Sequence, residues 1–239
     1  MIFRLTSRTT VEHYLKRDNR ILLPVGSTEQ HGSFGLIGTD HLITEKIAEA
    51  VAEKTNTMVA PTIPFGMSVH HTAFKGCITI KPTAIIALFN DIFWSLNHQG
   101  FHRILILNGH GGNKNTYSAM MSELLNDYPD LKVKFRSWWE GEGVTEFIQK
   151  RYGIEEGHHC SPSELSIIMY LFPEYITKQR TKYRQMPERP VFETAARFKE
   201  LFPDGIVGSN PNLANREDGE KLFNLCVTAF TKEMDLNWQ

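Results

Sequence analysis

The sequence predicts an α/β fold, a three-layer α/β/α sandwich with a mainly parallel central sheet. Apolar runs that resemble strands alternate along the chain with longer amphipathic stretches that resemble helices, which is typical of a parallel sheet covered on both faces. Two of the strand-like runs, at residues 21–25 and 104–107, open into loops rich in glycine and in metal-binding side chains. Ligands of α/β proteins bind outside the carboxyl ends of the strands, so these loops are the first candidate site.

The same alternation predicts each element in turn. We expect strands at residues 21–25, 58–61, 77–80, 104–107 and 131–137, where short apolar runs are bounded by polar residues. We expect helices at residues 43–54, 82–97, 115–126, 146–152, 162–171 and 215–234, where apolar residues recur at helical spacing. Ser161 and Pro162 suit the N-cap and first turn of one helix. Residues 173–211 show little periodicity and are predicted to be loop and edge structure or a subunit contact.

The composition favours one globular domain over residues 1–239. Hydrophobic residues make up 41% of the chain, which is enough for a sizeable core. The net charge of −1 offers no electrostatic footprint for nucleic acid. No apolar run approaches the roughly 18 residues that span a bilayer, and the N-terminus lacks the features of a signal peptide. We therefore expect a cytoplasmic protein with no nucleic-acid or membrane partner.

The first candidate motif is the loop that follows residues 21–25. Glu29 and His31 are two positions apart, so both side chains point the same way in an extended segment, as two ligands of one ion would. Asp40 follows closely enough to fold back, and a carboxylate between two cations can bridge them. The alternative is that the two carboxylates cap or brace turns and that His31 is an ordinary loop histidine.

The second candidate motif is Asn108-Gly-His-Gly-Gly-Asn113, with His110 at its centre. Glycine on both sides of His110 lets the backbone bend sharply and approach a ligand. A phosphate loop is the rival interpretation, but the motif lacks a Lys-Ser/Thr pair and the GxGxxG spacing. The two asparagines are expected to brace the turn.

Further candidates lie later in the chain. Glu164 stands three residues after Ser161, which is the capping-box pattern and so has a purely structural explanation. His158 and His159 are adjacent, and only one can face a site from an extended chain. Trp138 and Trp139 end a predicted strand, where core packing is the default and a substrate-stacking wall is the alternative.

The motifs PVGSTEQHG, GTDH and NGHGGN, followed by the HxxxxE spacing of His159 and Glu164, resemble the creatininase family of metal-dependent amidohydrolases in order and spacing. Residues 66–76 and 205–219 are similar to two further family segments, and the resemblance extends from about residue 22 to the end of the chain. It implies a three-layer α/β/α fold, two divalent ions (Zn, Mn or Fe), hydrolysis of an amide-type bond and a hexamer built from dimers. By position, the resemblance assigns metal ligation to Glu29, His31, Asp40 (as the bridge), His110 and Glu164.

These assignments predict a hydrolase that cleaves a C–N bond of a small polar molecule with a metal-activated water. His159 matches the family histidine that shuttles protons, and Glu156 is the next candidate proton donor. Predicted substrate-binding residues are Trp138, Trp139, His71 and Gly111. One alternative is the same metal pair acting on a cyclic ketone or a lactone, and another is a non-catalytic metal-dependent binding or scaffold protein.

The chain departs from the family pattern of enzymes that act on creatinine. Those enzymes have a Tyr-Glu pair directly after the loop histidine, where this chain has Gly111-Gly112. They have a Trp-Asp pair upstream of the shuttle histidine, where this chain has Glu155-Glu156. The resemblance therefore disfavours creatinine itself as the substrate.

Overall fold

The fold is given by a computed structural model that describes residues 1–176, 181–186, 194–236 and 238. The strands of this part of the chain are β1 (Arg20–Val25), β2 (Met58–Val59), β3 (Arg103–Asn108) and β4 (Lys132–Ser137). Its α-helices are α1 (Arg8–Leu15), α2 (Thr39–Thr55), α3 (Pro82–Gln99), α4 (Asn113–Leu124), α5 (Val144–Tyr152), α6 (Pro162–Leu171), α7 (Ala195–Leu201) and α8 (Arg216–Asp235). The predicted α/β class is confirmed.

The four strands form one parallel sheet in the order β2-β1-β3-β4. In the central pair, Ile21 lies beside Ile104 and Val25 lies beside Asn108. The connection from β1 leads to β2 on one side of it, and the connection from β2 leads to β3 on the other side of β1. The direction of the strand order therefore reverses between β1 and β3. At such a reversal the two following loops diverge to opposite faces of the sheet and leave a crevice at the carboxyl ends of the strands.

Alternate residues of the strands support two separate hydrophobic layers. Leu22 and Leu105 pack with α2, α5, α6 and α8 on one face, and Ile21 and Ile104 pack with α1, α3 and α4 on the other. Because successive strand residues point to opposite faces, a sheet that is apolar at every position is covered on both sides. This arrangement confirms the three-layer prediction.

Three local predictions differ from the structure. Residues 77–80 make only isolated bridges, Thr28 with Ile78 and Gly66 with Thr79, because their partners lie in the loops after β1 and β2 and not in a strand. Helix α1 was not predicted because Tyr14 is its single buried residue and gives no periodicity. Residues 173–211 were expected to lack helix, yet α7 forms there with Thr194 as its N-cap. The parts of that segment at 177–180 and 187–193 lie outside the described residues.

None of the helices in the described part of the chain combines the length and the apolar character that crossing a bilayer requires.

Candidate metal and active site

Three chain segments bring the predicted metal ligands together at the crevice. Glu29 and His31 lie in the loop after β1, and Asp40 lies in the first turn of α2. His110 lies in the loop after β3, and Glu164 lies in the first turn of α6. All five are buried except Glu164, which is half-buried. The sequence motifs that stood far apart along the chain thus converge on one place.

The approach of α2 to the sheet depends on glycine. A side-chain carbon added to Gly109 would overlap the carbonyl group of Asp40, and one added to Gly26 would overlap the backbone of His41. The start of α2 can therefore lie directly against the ends of β1 and β3 only because both positions lack a side chain. This close packing delivers Asp40 to the centre of the cluster.

Asp40 stands between two histidines, with one carboxylate oxygen facing each. Its Oδ1 lies 3.2 Å from His31 Nε2, and its Oδ2 lies 3.2 Å from His110 Nδ1. Glu29 Oε2 lies 3.3 Å from His110 Nδ1, and Glu164 Oε2 lies 4.0 Å from His31 Nε2. A carboxylate with its two oxygens turned to two different imidazoles has the geometry expected of a bridging ligand.

The donor atoms fall into three overlapping groups that could each hold a metal ion. Within a group, all ligand atoms lie within 4.8 Å of one another. The groups are Glu29-His31-His159, Glu29-Asp40-His110 and His31-Asp40-Glu164. Three atoms of this set, Glu29 Oε1, His31 Nε2 and Asp40 Oδ2, are buried and have no hydrogen-bond partner within the described residues. Buried polar atoms are normally hydrogen-bonded, so this concentration of unpaired oxygen and nitrogen atoms fits a divalent cation.

Each imidazole is oriented by a backbone carbonyl on the side away from the carboxylates. His31 Nδ1 lies 3.3 Å from the Glu29 carbonyl oxygen, and His110 Nε2 lies 3.0 Å from that of Met67. When the rings are neutral, a ring N–H donated to each carbonyl leaves the other nitrogen, His31 Nε2 or His110 Nδ1, as an acceptor that faces the cluster. Metal-binding histidines typically carry such a second hydrogen bond, which fixes the tautomer.

The titratable groups of the cluster are shielded from water, and their pKa values depart from the ordinary ones. Burial raises the pKa of Glu29 to about 7. Burial opposes the charged form of His31, but the Asp40 carboxylate raises the pKa of that histidine to about 9. Burial likewise opposes the charge on Asp40, yet His31 and His110 hold the pKa of its carboxyl well below the usual range. The carboxylates are thus held in a site where positive charge is needed to balance them.

His159 and His71 line the same cluster and are held by Gln30. His159 Nε2 lies 2.6 Å from the Gln30 carbonyl oxygen, which leaves Nδ1 facing Glu29 Oε1 at 3.5 Å. The Gln30 side-chain nitrogen lies 2.9 Å from His71 Nδ1 and 2.9 Å from the Gly205 carbonyl oxygen. Burial, followed by the nearby charge of His31, holds the pKa of His159 well below its ordinary value. His159 is therefore neutral, with one nitrogen available to accept a proton or an ion.

Glu164 forms the capping box that its sequence position predicted, and its carboxylate also faces His31. The Ser161 hydroxyl accepts from the Glu164 backbone N–H at 3.2 Å, and Glu164 Oε2 accepts from the Ser161 backbone N–H at 2.8 Å. This reciprocal capping box fixes the first turn of α6. The same Oε2 is the atom that faces His31, so capping holds the carboxylate in its place within the cluster.

Two cavities adjoin the cluster. The first has a volume of about 360 Å³ and is lined by Glu29, Asp40, His110 and His159, with His71 and Phe198 on its wall. The second has a volume of about 420 Å³ and is lined by Trp138, Trp139 and Glu156. Gly111, His158 and Glu164 contribute to both. The structure thus places His71 beside the cluster, whereas Glu156, Trp138 and Trp139 belong to the second cavity.

A family model described as creatininase, creatinine amidohydrolase, matches residues 4–234. The chain belongs to the creatininase family. It is therefore a member of a hydrolase family, as the sequence motifs predicted. The predicted family resemblance is confirmed over nearly the whole chain.

Relatives of this creatininase-family chain differ in the reactions that their names state. The chain is 29% identical to a 3-dehydro-scyllo-inosose hydrolase of Thermotoga maritima. The match covers 90% of this chain and 66% of the relative, which is just under two thirds of that protein. The chain is 24% identical to a creatinine amidohydrolase of Pseudomonas putida over 87% of this chain and 85% of the relative. A crystal structure of creatinine amidohydrolase superposes on this chain with a TM-score of 0.85 at 23% identity. The superposition covers 98% of this chain and 96% of that one, and it confirms the fold. Solved creatininases include a Zn-Zn form and a Mn form.

In this creatininase-family chain the two glycines after His110 stand in different surroundings. A side-chain carbon on Gly112 would overlap His110 Nε2 and the Met67 carbonyl oxygen, so the backbone as it stands has no room for a glutamate there. The carboxylate of Glu164 lies 4.0 Å from His31 Nε2. At Gly111 an added carbon would meet no atom within 4 Å, and this position opens toward both cavities.

Sequence reasoning missed several residues of the site. Gln30 was passed over although it stands between Glu29 and His31, because a glutamine has no chemical signature of its own. Ser27 donates its hydroxyl to Glu29 Oε2 at 2.8 Å, and Phe198 of α7 packs its ring edge on His71 with centroids 4.8 Å apart. Alternation by two from Glu29 does place Ser27 on the same side of an extended loop, a signal that could have identified it.

Proposed function

We propose that this chain is a metal-dependent hydrolase that cleaves a C–N bond in an amide, cyclic amide or formamide of a small polar molecule. The observation that carries the proposal is the orientation of the imidazoles of His31, His110 and His159. Each places one nitrogen against a backbone carbonyl and the other beside buried carboxylates. A structural histidine needs only one such contact, whereas a ligand or a proton carrier needs the second nitrogen free.

The donor set fits two divalent ions that share Asp40. Glu29, Asp40 and His110 would hold one ion, and His31, Asp40 and Glu164 would hold the other, which agrees with the overlap of the donor groups. Mixed imidazole and carboxylate ligands suit Zn, Mn and Fe. Bound there, the ions would supply Lewis-acid polarisation of the scissile carbonyl and a water of lowered pKa.

His159 is the proposed proton carrier. Its Nε2 is engaged with the Gln30 carbonyl oxygen, so the proton would be taken up and released at Nδ1, on the side of the first cavity. Because burial keeps the resting imidazole neutral, His159 can accept a proton from the attacking water and deliver it to the departing nitrogen. His158 is exposed, and its backbone N–H donates to the Val207 carbonyl oxygen. We therefore assign it no proton transfer.

A second candidate reaction is hydrolysis of a cyclic ketone or a lactone at the same centre. The Thermotoga maritima relative named 3-dehydro-scyllo-inosose hydrolase favours it, since that name denotes a cyclic carbonyl compound without an amide. Attack of an activated water on a carbonyl needs the same residues in both cases. A non-catalytic metal-binding protein is the third candidate, and in it His159 would serve as a ligand within the Glu29-His31-His159 group and not as a proton carrier.

The experiment is metal analysis of protein purified without chelator, followed by a substrate panel of cyclic amides, formamides, lactones and cyclic ketones. We expect turnover of an amide substrate that is lost on chelation and restored by Zn or Mn. Faster turnover of the ketones or lactones would establish the second candidate. Stoichiometric metal binding with no turnover of any panel member would establish the third.

We also propose assembly into a homo-oligomer, a hexamer by family resemblance, in the cytoplasm. Large apolar side chains remain exposed on the described surface, among them Trp94 at 60% and Tyr175 at 67%. Aromatic residues are enriched at contact surfaces between subunits, so these two positions are candidates for such a contact. The expected binding partners are other copies of the chain and a small-molecule substrate.

A further inference from the structure

Two backbone groups fix the orientation of the Gln30 side-chain amide. The Gly32 backbone N–H donates to its oxygen at 2.8 Å, and the Gly205 carbonyl oxygen accepts from its nitrogen at 2.9 Å. A backbone N–H can only donate and a carbonyl oxygen can only accept, so the amide cannot be turned over. The Gln30 side-chain nitrogen therefore has one hydrogen left for a further partner.

Two imidazoles lie within reach of that hydrogen, and only one of them can accept it. His159 Nε2 lies 3.1 Å from the Gln30 side-chain nitrogen, but it also faces the Gln30 carbonyl oxygen at 2.6 Å and must carry its own hydrogen there. His71 Nδ1 lies 2.9 Å from the same side-chain nitrogen and accepts the hydrogen. Burial holds the pKa of His71 well below its ordinary value, so the ring is neutral and carries its single hydrogen on Nε2.

The hydrogen on His71 Nε2 lies beside Glu29. Nε2 is 3.4 Å from Glu29 Oε1, which is longer than the roughly 2.7–3.2 Å of a normal N–H···O hydrogen bond. A small rotation of the carboxylate can close this distance, because the terminal torsion of a glutamate is broad. Glu29 Oε1 is buried and has no hydrogen-bond partner within the described residues, so the N–H of His71 would satisfy it.

The two oxygens of Glu29 have different neighbours. Oε2 lies 3.3 Å from His110 Nδ1, whereas Oε1 lies between His71 Nε2 and His159 Nδ1, which is 3.5 Å away. Glu29 accordingly belongs to one donor group with His110 and to another with His159. An N–H donated to Oε1 engages that oxygen and leaves Oε2 for an ion on the His110 side.

We propose that His71 is a positioning residue for Glu29. Gln30 fixes His71 as the tautomer with hydrogen on Nε2, and this N–H holds Glu29 Oε1 so that Oε2 is presented to the ion. Hydrogen bonds of this kind orient the carboxylates that bind metals, and their loss typically lowers metal affinity by about 10–100-fold. This inference rests on the metal centre of the proposed function and adds a residue that supports it.

The tautomer is tested by nitrogen-15 NMR of the full chain, both metal-free and loaded with Zn. Two-bond spectra distinguish a ring nitrogen that carries hydrogen from one that does not, and the His71 signals are assigned by their absence from His71→Gln. We expect hydrogen on Nε2 of His71 in the wild-type protein. Gln30→Glu keeps the shape of the side chain but replaces the donor with an acceptor, so Nδ1 of His71 should gain a hydrogen. His159 should keep its hydrogen on Nε2, because a backbone carbonyl sets it.

The effect on the metal is tested by Zn affinity, measured in competition with a chelator. His71→Leu removes the N–H and should weaken one of the two metal positions by about 10–100-fold. His71→Gln can place an amide N–H where Nε2 stands and should retain most of the wild-type affinity. His98→Leu makes the same substitution at an exposed histidine on α3 and should leave both positions unchanged. Gln30→Glu is omitted from this comparison because its added charge would itself attract a cation.

The pair of substitutions at His71 separates hydrogen bonding from packing. Weaker Zn binding in His71→Leu with retention in His71→Gln would support the positioning role. Hydrogen on Nδ1 of His71 in the wild-type protein, an unchanged affinity in His71→Leu, or equal losses in the two variants would overturn it. The expected Zn affinities without turnover of any amide, lactone or ketone would overturn the proposed reaction and leave this inference intact.

Discussion

Removal of the Asp40 carboxylate tests the shared-ligand geometry most directly. Two of the three donor groups contain Asp40, and its two oxygens each lie 3.2 Å from a different histidine. Asp40→Ala should therefore weaken both metal positions at once. His110→Ala and Glu164→Gln each affect a residue that belongs to a single donor group, so each should weaken one position.

The expected size of the effect follows from ligand counting. Loss of an outer-shell contact to a metal ligand lowers affinity by about 10–100-fold, and loss of a ligand itself should exceed that range. At about 100-fold, each position loses about 2.8 kcal/mol of binding free energy. Metal content should then fall from about two ions per chain to below one in Asp40→Ala, and to about one in His110→Ala.

Metal content is measured by elemental analysis after equilibration with limiting Zn, with Mn as a second series. Asp40→Asn keeps the volume of the buried side chain and separates the loss of charge from a packing defect. Asp91→Asn, an exposed carboxylate on α3, is the matched control and should retain the wild-type content. Equal losses of one ion in Asp40→Ala and His110→Ala would refute the bridging role.

Three further predictions concern catalysis, stability and assembly. His159→Ala should retain both metals and lose about 10²–10⁴-fold in turnover, as expected of a positioned acid–base group, while His158→Ala loses far less. Loss of metal in parallel with activity would make His159 a ligand, for which Nδ1 is suitably placed. Ser161→Ala removes the N-cap of α6 and should lower the free energy of unfolding by about 1 kcal/mol in urea titrations, and an unchanged midpoint would contradict the capping role. Light scattering at micromolar concentration should show an oligomer, and a monomer there would exclude the proposed assembly.

The sequence by itself predicted the elements whose information is local. β1 and β3 are apolar at nearly every position, and α3 repeats its buried residues at helical spacing, so both kinds of element were recognisable. The start of α6 followed from Ser161 and Pro162 for the same reason. A parallel sheet order with a reversal between β1 and β3 then placed the two motif loops at one crevice.

Short elements with one buried residue were beyond this kind of reasoning. Helix α7 has Phe198 as its single buried side chain, and α1 has Tyr14. A helix of seven or eight residues with one apolar contact shows no periodicity, and its stability comes from packing against the rest of the fold. Their existence became visible only from the tertiary structure.

Some features of the candidate site were likewise predictable from the sequence, and others were visible only in the tertiary structure. The sequence determined which side chains are chemically able to bind a metal, and it determined that Glu29 and His31 face one direction. Only the tertiary structure decided that Gln30 holds His71 and His159, since its side-chain contacts join residues 41 and 129 positions apart. The sequence predicted Glu164 as a helix cap, and only the tertiary structure places its carboxylate 4.0 Å from His31 Nε2. Periodicity and capping depend on neighbouring residues, whereas the partners of a buried polar group depend on which distant segments pack together.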